Sequence, residues 1–221
     1  MKKTFDFLKR LKKNNNREWF NDNKAEFLES KAEFEELVAR IVNELESHDV
    51  IDHAKTKVFR IYRDVRFSKD KTPYNSYWRV AIYRSGKERR GTYYMHLEPG
   101  GETVILGGFY GPEPADLLHI RKQISLDPSP MNKLMANKSF KEFYGGMEGE
   151  KLKTAPKGFE KDDPSLDLIQ HKSFYFRHAF SDKEVMDPNF AKNVSQGWKK
   201  IRPFFDYMTD ILTTDLDGNP I

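Results

Sequence analysis

The feature that most constrains this chain is a change in the spacing of its apolar residues. Through its first part, Phe20, Phe27, Phe34, Val38, Ile41 and Leu45 recur in steps of three, four or seven, which is the stripe of one long amphipathic helix running from Asn16 to about His48. From Lys57 the period falls to two. "KVFRIYRDVRF", "YWRVAIYR", "TYYMHLE" and "TVILGGFY" are rich in β-branched and aromatic residues, and Glu98-Pro99-Gly100-Gly101 forms a turn between the last two. Runs of helix followed by runs of short strands predict an α+β fold, with a mostly antiparallel sheet covered by helices.

Local signals fill in the rest. Phe5, Leu8 and Leu11 predict a short opening helix with Thr4 as its N-cap, ended by "NNN" at Asn14 to Asn16. In the second half, Pro114, Pro130, Pro164 and Pro188 each stand where a helix can begin, because a proline in the first turn has no N–H left unpaired. Ser181 with Glu184 has the form of a capping box, and "SFYFRHAF" predicts a further strand. A chain of 221 residues with 38% apolar content can bury a core as one domain. The expectation is a single α+β domain over residues 1–221, with a long N-terminal helix, four to five strands and a frayed tail at 213–221.

Composition narrows the function classes. The 38 Lys+Arg against 34 Asp+Glu leave a net charge of only +4, so bulk charge does not argue for nucleic acid. The absence of cysteine removes disulfides, thiolate catalysis and thiolate metal sites together, and fits a reducing compartment. "MKKTFDFLKRLKKNNN" is too charged for the apolar core of a signal peptide. No run approaches the ~18 apolar residues of a membrane span. A cytoplasmic protein without membrane association is expected.

One stretch carries more charge than a core strand should. In "FRIYRDVRFSKDKTPY", side-chain alternation places Phe59, Ile61, Val65 and Phe67 on one face and Arg60, Tyr62, Asp64 and Arg66 on the other. Arg63 falls among the apolar residues and therefore needs a carboxylate, with Glu98, Asp64 or Glu18 as candidates, or a bulge. "TYYMHLEPGG" divides in the same way, with Tyr94, His96 and Glu98 opposite Tyr93, Met95 and Leu97. If the polar faces coincide, Arg60, Asp64, Arg66, His96 and Glu98 line one surface, and the loop after Phe67 delivers Lys71 and Tyr74 to its edge. Such residues also serve as a salt-bridge network on a solvated sheet face. Density favours a site: three arginines within seven residues exceed the acids beside them.

The expected chemistry follows from the residue types. Arg60, Arg63, Arg66 and Lys71, with Glu98, are the candidates to hold a phosphorylated or carboxylated small molecule, because guanidinium forks bind such anions bidentately. Asp64, His96 and Tyr74 are the candidates for proton transfer. No metal is expected, since the arginines would oppose a cation, and no cofactor is specified. Arg17, in "NREWF", is a further candidate for the charged face. The alternative is a nucleic-acid or protein interaction module, in which Lys57, Lys69 and the "KERR" loop contact phosphates and Tyr62, Tyr77 and Tyr94 stack on bases. The acids mixed into the same face favour the compact ligand.

"RIYRDVRFSKDKTPY" also resembles a known signature, R-x-x-R-D-x-R-F-x-x-x-K-x-x-Y, of a bacterial family termed domain of unknown function 2461. It matches at Arg60, Arg63, Asp64, Arg66, Phe67, Lys71 and Tyr74. "NNNREWF", "YYMHLEPGG" and "PKGFEKDDP" are similar to the family elsewhere in the chain. The resemblance implies a shared site without an assigned reaction.

Overall fold

The computed structural model describes residues 1–86 and 89–221. Part of the "KERR" loop, at 87 and 88, lies outside the described residues. Helices α1 (Lys2–Lys13), α2 (Arg17–Asp22) and α3 (Lys24–Leu45) come first. The strands β1 (Ile51–Val58), β2 (Trp78–Arg84), β3 (Thr92–Leu97) and β4 (Thr103–Phe109) follow. Next come α4 (Pro114–Leu126), α5 (Ser129–Ala136), α6 (Lys138–Tyr144) and α7 (Leu166–Ile169). The chain closes with β5 (Phe174–Phe180), α8 (Asp182–Val185) and α9 (Phe190–Thr213). The five strands form one antiparallel meander in the order β1-β2-β3-β4-β5, so the fold is α+β.

The described residues gather into two compact units, the first comprising Met1–Tyr83, Tyr94–Ile105 and Ala179–Gln196. In it, α1 packs on α3 through Phe5, Leu8 and Leu11, all buried. The apolar stripe predicts one helix from Asn16, but the chain breaks at Asn23 between α2 and α3. The Asn23 side-chain amide donates to the Trp19 carbonyl at 2.7 Å, beside the Asn23 backbone N–H on the same carbonyl at 3.1 Å, and Arg10 donates to the Asn23 Oδ1 at 2.7 Å. Thr4 does not cap α1, whose N-cap is Met1; its hydroxyl donates to Glu33 at 2.6 Å. Trp78 of β2 stacks on Phe27 and Phe34 at 5.9 and 5.6 Å and donates its indole N–H to Ser30 at 2.9 Å. The turn before β4 is held by α8, since the Gly100 and Gly101 N–H groups both donate to the Asp182 carboxylate at 2.8 and 2.9 Å. Ser181 and Glu184 complete the capping box.

The second unit comprises Arg84–Tyr93, Leu106–His178 and Gly197–Ile221. Trp198, Ile201, Phe204, Phe205 and Met208 of α9 are fully buried in it, with Phe205 against Tyr93 at 5.0 Å and Phe204 against Phe176 at 5.0 Å. Gly108 has φ +152°, and a side chain there would lie 2.3 Å from the Phe174 carbonyl oxygen. Within the stretch expected to fray, Asp215 accepts from the Asn219 N–H at 2.8 Å and Thr214 bridges Pro220. Among the described residues, no helix is long and apolar enough to cross a membrane.

Candidate functional site

The charged stretch is not a strand. β1 ends at Val58, and the last ladder bond is from Phe59 N–H to the Arg79 carbonyl at 2.9 Å. The chain then folds back on itself: Tyr62 bridges Tyr74, Arg63 N–H donates to the Pro73 carbonyl at 2.9 Å, and Asn75 N–H donates to the Ile61 carbonyl at 2.8 Å. This short neck closes a loop from Asp64 to Thr72. Period-two alternation therefore stops at Arg63, and the core face expected of Phe59, Ile61, Val65 and Phe67 is not formed. Ile61 is buried, Phe59 and Val65 are half-buried, and Phe67 is 96% exposed. The neck does bury Tyr74, which stacks on Phe20 at 3.9 Å. Asn15 fastens it there, donating to the Tyr74 carbonyl at 2.8 Å and accepting its N–H at 3.1 Å.

Arg63 has the carboxylate its position required, though none of the three expected. Its guanidinium reaches across the loop to Asp70 at 2.5 Å and to the Thr72 carbonyl at 3.0 Å, and also donates to the Thr72 hydroxyl. Asp70 in turn accepts from the Thr72 N–H at 2.9 Å, and Lys71 Nζ donates to the Val65 carbonyl at 3.0 Å. The loop is thus cross-braced from within. Glu98 was a reasonable expectation for an extended strand, but folding at the neck turns Arg63 toward residues close to it in sequence.

The remaining predicted residues fall around two grooves. Arg60, Arg63 and Asp64 line one of about 360 Å³ with Asn75, Tyr77 and Arg79. Lys71 lines another of about 450 Å³ with Asn15, Asn16, Arg17, Val65 and Thr72. Arg66 points outward and clasps Asp64 through Nε to Oδ1 at 3.0 Å and Nη2 to Oδ2 at 2.7 Å. These hydrogen bonds hold the Asp64 carboxyl below its usual range, with a smaller contribution from the Arg60 charge. Burial raises the pKa of Tyr74, which keeps its phenol protonated. On β3, His96 Nε2 lies 2.9 Å from Glu98 Oε2, and Lys12 donates to Glu98 Oε1 at 2.9 Å. The His96 ring packs 4.3 Å from Tyr77, so Tyr77 touches both the first groove and the His96–Glu98 pair.

Arg79 is the residue that sequence reasoning passed over. The half-buried Arg79 alternates with the buried Trp78 and Val80 along β2, which was the available signal. Its guanidinium lies 5.2 Å from the ring centroids of both Phe59 and Tyr77. Among the described residues, neither Arg60 nor Arg79 makes an ion pair. No group of three His, Cys, Asp or Glu able to hold a metal occurs among them either.

These elements define an α+β protein whose antiparallel meander carries a braced basic loop between its first two strands. The chain belongs to the family described as conserved hypothetical protein (DUF2461), whose model matches residues 3–207. No curated protein and no solved structure matches it.

Proposed function

We propose that this protein binds a small phosphorylated or carboxylated molecule in the groove between Arg60 and Arg79. One observation carries the reading: two guanidinium groups line the same groove and neither is neutralised by an ion pair among the described residues. Arg60 is exposed, while Arg79 is half-buried against two rings that hold its plane still. A planar cation fixed in this way loses little freedom on meeting an anion. Asp64 is already occupied by Arg66 and, held ionised, is a poor general base. Proton transfer falls to His96, oriented by Glu98 and in contact with Tyr77. Tyr74 belongs to the core of this reading and Lys71 to the neighbouring groove.

Isothermal titration with inorganic phosphate, pyrophosphate and small dicarboxylates tests it. Loss of one charge-assisted bidentate contact is worth ~1.5–3 kcal/mol, so Arg79→Ala and Arg60→Ala should each weaken binding by about tenfold or more. Wild-type protein that binds none of these anions, or variants that bind them equally well, would overturn the proposal.

A further inference from the structure

Phe67 is the most exposed large apolar side chain described, at 96%, and it stands on the braced loop, beyond the neck. A ring left in water on a floppy loop would need no explanation. This loop is tied by Arg63 to Asp70 and Thr72, by Lys71 to the Val65 carbonyl, and by Arg66 to Asp64. The bonds hold the backbone on both sides of Phe67 while none of them shelters its ring. Arg66 lies 5.9 Å from the ring centroid, its guanidinium held by Asp64. An exposed aromatic face on a braced backbone, beside a guanidinium held by Asp64, is a platform for a flat partner.

Charge says what kind of partner. Between Phe59 and Arg79 stand six cations, Arg60, Arg63, Arg66, Lys69, Lys71 and Arg79, and two acids, Asp64 and Asp70, an excess of four that equals the net charge of the whole chain. The modest total therefore conceals a concentrated basic segment. Both acids are already used within the loop, Asp64 by Arg66 and Asp70 by Arg63. Arg60, Lys69, Lys71 and Arg79 make no ion pair among the described residues. They are divided between the loop and two separate grooves, and the groove of Lys71 and Arg17 has no acid among its lining residues.

We infer that the protein binds single-stranded nucleic acid, with an unpaired base stacked on Phe67 and backbone phosphates in the flanking grooves. The inference rests on the proposed anion groove of Arg60 and Arg79, and takes the phosphoryl group held there to be one phosphate of a strand rather than of a small molecule. A flexible strand can follow concave grooves and offer a base to a protruding ring. A lipid headgroup surface would meet the ring but leave the grooves unfilled. Stacking is tolerant of base identity, so the inference concerns strand class rather than sequence.

The test is fluorescence anisotropy of a labelled short oligothymidylate and oligouridylate, with full-length wild type, Phe67→Ala and Phe67→Trp, at low and at physiological salt. Phe67 contributes almost nothing to the core, so its replacement leaves the fold intact, and an unchanged melting temperature confirms it. The expected result is binding that weakens with salt, falls roughly tenfold or more in Phe67→Ala, and returns in Phe67→Trp. Inorganic phosphate should bind Phe67→Ala and wild type equally. Oligonucleotide binding that is absent, or indifferent to Phe67, while phosphate binding persists would overturn this inference and leave the anion reading standing. Failure of wild type to bind phosphate at all would remove the anion reading. Phe67-dependent binding to phosphatidylglycerol vesicles without binding to oligonucleotide would also overturn the inference.

Discussion

Replacing Arg63 with alanine tests whether the basic motif is partly scaffold. The side chain is 22% exposed and its partner Asp70 is 59% exposed, so the ion pair itself is well solvated and worth under ~1 kcal/mol. The bonds to the Thr72 carbonyl and hydroxyl matter more, because they close the loop against its own neck. A hydrogen bond from a charged donor contributes ~1.5–3 kcal/mol. Arg63→Ala should therefore cost about 2–3 kcal/mol in the opening of residues 64–72, while Asp70→Asn, at a solvated carboxylate, should cost clearly less. Hydrogen exchange measures the loop directly, since the Arg63 and Asn75 amides are bonded across the neck. Urea melts of both variants and the double variant supply the coupling between the two residues, expected to be small. Exchange rates in the neck that do not change in Arg63→Ala would refute the bracing role and return Arg63 to the list of ligand contacts.

Three further outcomes follow from the packing. Burial, reinforced by the Lys151 charge, pushes the His171 pKa from 6.5 down to about 4, so folding favours the neutral ring. Its contribution is complete above pH 6.5 and lost as pH falls toward 4, a loss of about 3 kcal/mol, which chemical melts across that range should show for wild type and not for His171→Gln. Asp182→Ala removes the acceptor of both glycine N–H groups in the turn before β4 and should lower stability by about 1–2 kcal/mol, read from thermal melts. Gly108→Ala should fail to fold or lose more than about 3 kcal/mol by chemical denaturation, because the added methyl meets a strand carbonyl at 2.3 Å and the backbone has φ +152°.

Much of the architecture was written in local patterns. The apolar steps of Phe27, Phe34, Val38 and Ile41 produced α3, since a helix repeats its faces every few residues whatever lies opposite. Alternation in Thr92–Leu97 correctly divided Tyr93, Met95 and Leu97 from Tyr94 and His96, because β3 has a neighbour on each side and keeps its pleat throughout. The same rule misread Phe59 to Phe67. There the pairing partner is the chain's own return at Pro73 to Asn75, and once the neck is made, side chains follow the loop's hydrogen bonds instead of a pleat. Residue identities by themselves determined that this segment would be basic and that Arg63 would need a carboxylate. Only tertiary structure decided that the carboxylate is Asp70, that Arg79 of β2 lines the same groove as Arg60, and that Phe67 faces water. Those outcomes depend on which groups the folded chain brings within hydrogen-bonding or stacking distance, and a one-dimensional period carries no information about that.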